Sequence, residues 1–272
     1  MSATTLLRRH QLAAFLAGSV ALGWLVTYLS AQLPSSSPLL PLIAIPVSYI
    51  PAALAVLAIV VVGTTQDKRR FRSSLTTLRF GWRWVAFALL LPAIHLIGIA
   101  IGVAAGGSVS LHPEMLALLP LFLLTNFGEE IGWRGYALPR LQERMSPLVA
   151  AILVGLVWAV FHWVALLGNR DNAMGYVVVA TVQLVGMSVI LGIVFNNARQ
   201  SVLAVTLVHA AYDTVSIGVA PLAETGVPLF AFASSAALTC LAAFTLVLIT
   251  GRSLRLGRPS HPGATTHVPA EA

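Results

Sequence analysis

Glu130 and Arg134 stand four residues apart, as do Trp158 and His162, and His209 and Asp213. Residues four apart share one face of a helix, so each pair presents its two side chains together. Glu130 precedes Arg134, the better order for an ion pair, and reads as the paired, structural carboxylate. Glu129 points about 100° away from it on the same helix. It cannot share the arginine as easily and is left in an apolar wall, available for proton transfer. One carboxylate with two imidazoles, His162 and His209, is a sufficient kit for activating water. Asn126, one turn before Glu130, hydrogen-bonds either within such a site or to the backbone. Taken singly, each histidine is better explained as a hydrogen bond between helices. Taken together with Asp213, in a chain only 9% charged, they favour a catalytic cluster. His95 follows Pro92 without an acidic neighbour at helical spacing and reads as a packing or channel-lining residue. Gln183 reads as interhelical glue.

The elements that must position these groups are membrane helices. Of 272 residues, 58% are hydrophobic, whereas a soluble domain carries about 25% charged residues. One cysteine, Cys240, excludes a disulfide framework and a thiolate metal site. Runs of roughly 20 apolar residues, the length that crosses a bilayer, occur at 11–31, 39–63, 84–106, 114–134, 147–168, 175–195, 201–220 and 228–250. The first is too long for a signal-peptide core and reads as a retained span. The reading is therefore an all-α, polytopic membrane bundle of about eight transmembrane helices.

Charge supports that count. If the eight spans alternate, fifteen of the sixteen Lys and Arg residues fall on one side, and Arg170 alone falls on the other. The positive-inside rule then makes both the N- and C-termini cytoplasmic. It also accounts for the net charge of +7 without a nucleic-acid partner. Residues 1–256 read as a single transmembrane helical domain and 257–272, with Pro259, Pro262 and Pro269, as a disordered cytoplasmic tail. Tyr136 to Met145 reads as a short amphipathic helix on the inner interface. Trp82, Trp84 and Tyr176 read as interfacial anchors.

Glu129-Glu130-x-x-x-Arg134, an aromatic-x-x-x-His at Trp158 to His162, and His209-x-x-x-Asp213 resemble the three motifs of the CPBP family of intramembrane endopeptidases. That family includes CAAX prenyl proteases and bacteriocin-processing enzymes. The resemblance covers about Glu114 to Ala220, a protease core of about 114–220. It implies that Glu129 is the general base activating water and that His162 positions this water or shares its proton. Glu130 and Arg134 would form the supporting pair. His209 and residue 213 would contact the scissile carbonyl and stabilise the oxyanion. Trp158 stands where Phe is frequent, and Asp213 where Asn is common. An ionised Asp cannot donate to an oxyanion, so Asp213 is either protonated or orients His209 or a water; the orienting role is favoured.

The activity implied is hydrolysis of a peptide bond in a membrane-associated peptide or protein, with or without a lipid on it. The bacterial plasma membrane is the expected location. No cofactor is expected first; the runner-up is a Zn ion held by Glu129, His162, His209 and Asp213. A proton-coupled transporter using the same groups as a relay, or a non-catalytic immunity or scaffold protein of the same fold, are the readings from other classes. The His-Glu-x-x-His pattern usual for zinc proteases is absent. Depth sets a geometric condition on the cluster. Glu129, His162 and His209 meet only if the helix of Glu129 runs inward past Arg134, or if the neighbouring turns are recessed.

Overall fold

In a bilayer every backbone polar group must be satisfied within its own segment, so apolar runs of this length form helices. A computed structural model describes residues 3–34, 37, 40–107, 109–167, 173–219 and 229–256. The described residues form helices and no strands. The helices are α1 (Ala3–Ser30), α2 (Leu40–Val62), α3 (Thr65–Thr76), α4 (Trp82–Phe87), α5 (Leu90–Ala104), α6 (Leu119–Gly132), α7 (Leu138–Gln142), α8 (Pro147–Leu167), α9 (Ala173–Asn197), α10 (Val202–Asp213) and α11 (Leu229–Thr250). A π-helical turn, Trp133–Ala137, joins α6 to α7, and a second, Thr214–Val219, extends α10. Eight segments among these are long and apolar enough to cross a membrane, matching the eight runs read from sequence. The tail at 257–272 and Arg170 lie outside the described residues.

The spans pack as a layered bundle. α9 lies between α8 and α11; α6 lies between α2 and α10; α1 bridges α2 and α8; α5 packs on α11 and α10. Lipid tails are as apolar as leucine, so close backbone approach rather than hydrophobic burial must hold such helices together. Glycine permits that approach on α6. A Cβ on Gly128 would lie 2.6 Å from the Tyr49 ring, and one on Gly132 would lie 2.3 Å from the Pro51 side chain. Both glycines face α2, four residues apart, while Glu129 and Glu130 between them are free to face the other helices. The Tyr49 hydroxyl adds a bond to the Leu124 carbonyl at 3.0 Å. On α8, Gly155 plays the same part, its missing Cβ 2.8 Å from the backbone of Val185 on α9.

The stretch after Arg134 differs from the expected surface helix. The π-turn carries the helix on to Gln142 without a break, and Tyr136, Ala137, Leu138 and Leu141 are buried. Its one basic face residue, Arg140, lies over the Tyr136 ring at 3.9 Å. The helix bearing Glu129 therefore runs on past Arg134 to Gln142, as the depth condition requires. The turn between α9 and α10 is covered as well. Gln142 donates to Asn196 at 3.2 Å, the Ser201 hydroxyl donates to the Thr77 carbonyl at 2.6 Å, and Asn197 donates to the Leu254 carbonyl at 2.8 Å. Arg199 and Gln200 reverse the chain there with φ of 57° and 56°.

The charged α3 braces this end of the bundle. Thr64 and Asp67 form a reciprocal cap: the Asp67 amide donates to Thr64 Oγ1 at 3.1 Å and the Thr64 amide to Asp67 Oδ2 at 2.8 Å. Burial opposes ionisation of Asp67, but the Thr64 hydrogen bonds, Arg140 and Arg70 outweigh it and hold the carboxyl below its ordinary value. Of the expected interfacial anchors, Trp82 is exposed, but Trp84 turns inward and packs on Phe87 at 5.5 Å, and Tyr176 stacks on Phe232. Two indoles two residues apart on a helix point about 200° away from each other, so they cannot share one face.

Candidate active site

Asn126, Glu129 and Glu130 lie on the last turns of α6, and Arg134 is the second residue of the π-turn that follows. Trp158 and His162 lie on α8, and His209 and Asp213 end α10. These three helices converge, and the sequence-derived residues meet in one network.

Glu130 and Arg134 are fully buried and joined at 2.8 Å, as the four-residue spacing predicts. The same oxygen, Glu130 Oε1, also receives His209 Nδ1 at 2.9 Å. A carboxylate only accepts, so His209 carries a proton on Nδ1. Sequence spacing had paired His209 with Asp213 alone; the structure places a carboxylate at each ring nitrogen, with Nε2 3.4 Å from Asp213 Oδ2. Nδ1 thus donates to Glu130, while Nε2 faces Asp213.

Arg134 is held on three sides. Beyond Glu130 it donates to Ser188 Oγ on α9 at 3.2 Å, and its guanidinium lies 4.8 Å from the Trp158 ring centre. Ser188 in turn donates to the Ala151 carbonyl of α8 at 2.8 Å. Sequence reasoning missed Ser188, whose only signal is a hydroxyl in an apolar helix.

Trp158 is the junction of the site. Its indole N–H donates to Glu129 Oε2 at 2.8 Å, and its backbone carbonyl accepts from His162 Nδ1 at 2.9 Å. The second bond fixes the tautomer: with the proton on Nδ1, the neutral His162 ring has Nε2 as an acceptor. The Trp158 ring also meets the edges of His162 and His209, with centroids 5.8 and 5.0 Å apart. The indole of Trp158 thus supplies a hydrogen bond that a phenyl ring could not make. Glu129 is separated from the Arg134 pair and is 7% exposed, whereas Glu130 is wholly buried.

Asp213 is anchored from α6: Asn126 Nδ2 donates to Asp213 Oδ2 at 2.8 Å. Asn126 therefore bonds within the site rather than to backbone. Asp213 and His162 are the more open members, Asp213 with 15% of its side chain exposed. Gln183 donates to the Tyr212 hydroxyl across α9 and α10 at 3.2 Å, and buried His95 meets the Tyr212 ring edge-on at 5.8 Å. Both are packing residues. Among the described residues, no three His, Cys, Asp or Glu side chains are grouped as a metal ion would need. Of the four residues weighed as zinc ligands, Glu129 accepts from Trp158, His162 donates to the Trp158 carbonyl, His209 Nδ1 donates to Glu130 and Asp213 accepts from Asn126. A cavity of about 840 Å³ near α3 and α7, lined by Arg70 and Arg140 among others, contains none of the motif residues.

Residues 110–215 match the family described as "Type II CAAX prenyl endopeptidase Rce1-like". A segment of 92 residues is 36% identical to the "CAAX prenyl protease 2" of Methanococcus maripaludis, covering 30% of this chain and 34% of that protein. The chain thus spans about a third of the length of the curated relative it matches. The family match spans the stretch that bears all three motifs, and both likenesses are to CAAX prenyl proteases.

Proposed function

We propose that the chain is an intramembrane endopeptidase that hydrolyses a peptide bond of a membrane-associated or lipidated peptide, in a bacterial plasma membrane with both termini cytoplasmic. Glu129 takes a proton from water while His162 Nε2 accepts the water's second hydrogen and keeps it in line. The hydroxide equivalent adds to the scissile carbonyl, and His209 Nε2–H faces the oxygen that becomes negative. The proton held by Glu129 then passes to the departing amine. Glu130 and Arg134 hold His209 and one another without touching substrate.

The observation that carries this reading is the double engagement of Trp158, which fixes the carboxylate of Glu129 and the tautomer of His162 from one residue. Family likeness to a CAAX prenyl protease supports the reaction class, and a prenylated C-terminal peptide is the first substrate to try. The mechanism proposed is metal-free. A transporter would be built on helices broken at mid-membrane; here α6, its π-turn and α7 run continuously through the site.

The test is cleavage by purified protein in proteoliposomes of peptides ending in a CAAX sequence, farnesylated and not, against Glu129→Ala, His162→Ala and His209→Ala. Loss of cleavage in all three is expected, with rates unaffected by chelator. Unchanged turnover in Glu129→Ala would remove the base from the mechanism, and loss under chelator with recovery on zinc addition would replace it with the metal reading.

A further inference from the structure

Two side-chain nitrogens from different helices converge on one oxygen in the resting site. Asn126 Nδ2 on α6 lies 2.8 Å from Asp213 Oδ2, and His209 Nε2 on α10 lies 3.4 Å from the same atom. A carboxylate oxygen is an anionic oxygen on a planar carbon, so its surroundings report what can bind an oxyanion. Asp213 itself cannot serve, because an ionised carboxylate has no proton to give. Asn126 can. Its amide carries two hydrogens, and the bond to Asp213 uses one. The amide orientation is settled by chemistry, since only the NH2 end can face a carboxylate, and Thr125 Oγ1 lies 3.4 Å from the amide oxygen. Asn126 is 3% exposed and Thr125 8%, so the amide is held in a desolvated wall. A preorganised donor is worth most in such a place.

We propose that Asn126, with His209, donates a hydrogen bond to the scissile carbonyl oxygen, and that Asp213 orients the amide and the imidazole from the side. Asn126 is then a catalytic residue and Asp213 a positioning residue. This deepens the peptidase reading and rests on it. The consequence for specificity of geometry is concrete: the donor pair spans α6 and α10, so the attacking base Glu129 and one oxyanion donor share a helix three residues apart.

The test compares an oxo-peptide with its thioamide analogue at the scissile bond. Sulfur accepts hydrogen bonds poorly, so an enzyme with an oxyanion donor cleaves the thioamide much more slowly, and removing the donor shrinks that oxo/thio ratio. The ratio is taken within one preparation and does not depend on how much of a variant folds. Asn126→Ala and the similarly sized Asn126→Leu are expected to lower kcat by about 10²- to 10³-fold with little change in KM, and to collapse the ratio. Asp213→Ala is expected to slow both substrates while keeping most of the ratio. A full wild-type ratio in both Asn126 variants would overturn the proposal, leaving Asn126 as a tether for Asp213. Failure of wild-type protein to cleave any peptide would instead overturn the peptidase reading on which it stands.

Discussion

Neutralising the two adjacent carboxylates of α6 separately is expected to produce two different failures. Glu130 is wholly buried, and its Oε1 is shared by Arg134 at 2.8 Å and His209 at 2.9 Å. Glu130→Gln leaves the guanidinium of Arg134 buried with Ser188 and the Trp158 ring but with no counter-charge. Removing one member of a buried pair costs about 3–5 kcal/mol. That corresponds to a drop in unfolding temperature on the order of 10 °C for a chain of this size. Glu129 has no cation bonded to it, and its amide replacement still accepts from the Trp158 indole. Glu129→Gln should therefore cost no more than about 1 kcal/mol of stability, while abolishing turnover because an amide cannot take a proton from water. The assay pairs thermal unfolding in detergent, followed by tryptophan emission, with peptide cleavage at a temperature where every variant is folded. A second variant, Glu130→Met with Arg134→Met, removes both charges and should recover most of the lost stability. The reasoning fails if Glu129→Gln is the destabilised variant, or if Glu130→Gln unfolds like wild type.

Trp158→Phe removes a hydrogen bond to an ionised carboxylate, worth about 1.5–3 kcal/mol, and is expected to lower kcat/KM by about 10- to 100-fold while the backbone bond to His162 persists; a change below twofold would show that Glu129 is held by something else. Gly132→Ala, whose Cβ would press on Pro51, is expected to cost about 1–3 kcal/mol, whereas Gly135→Ala, with nothing closer than 3.4 Å, should unfold close to wild type. The folded Asp67 carboxyl lies below its ordinary value near 3.9, so its cap stabilises α3 fully above that value and is lost as pH falls through the lower, folded value. Wild type and Asp67→Asn should thus differ in unfolding temperature at neutral pH, and the difference should shrink as pH falls below the ordinary carboxylate range; a difference that stays constant throughout the acid titration would count against the cap. Reporter fusions at each end should both report the cytoplasm, and opposite locations for the two ends would break the eight-span alternation.

How far the sequence could be read follows from the range of each interaction. The spans were legible because a bilayer crossing is a property of composition over 20 consecutive residues. The Glu130–Arg134 pair was legible because both members belong to one helix at fixed spacing. The Gly128-x-x-x-Gly132 face against α2 had a sequence signal, two small residues four apart, overshadowed by the carboxylates between them. The continuation of α6 through a π-turn had none, because one extra residue per turn changes hydrogen-bond register without changing composition.

What no spacing along the chain could supply was the second partner of each polar group. His209 sits four residues before Asp213, and that local rule pairs the two, yet its shorter contact, 2.9 Å against 3.4 Å, is to Glu130, 79 residues away. Asn126 meets Asp213 across 87 residues, and Trp158 meets Glu129 across 29. Each of these contacts joins α6 to one other helix, so α6 contributes a different polar atom to every neighbour: Asn126 and Glu130 to α10, Glu129 to α8. A helix can do this only where its residues are consecutive enough to radiate in different directions, which is the physical use of two adjacent carboxylates. One glutamate is spent on holding the imidazole of α10, and the other, a rotation of about 100° away, is bonded by the neutral Trp158 indole. Exchanging their environments would need the helix to turn by that angle, which the glycines packed on α2 forbid.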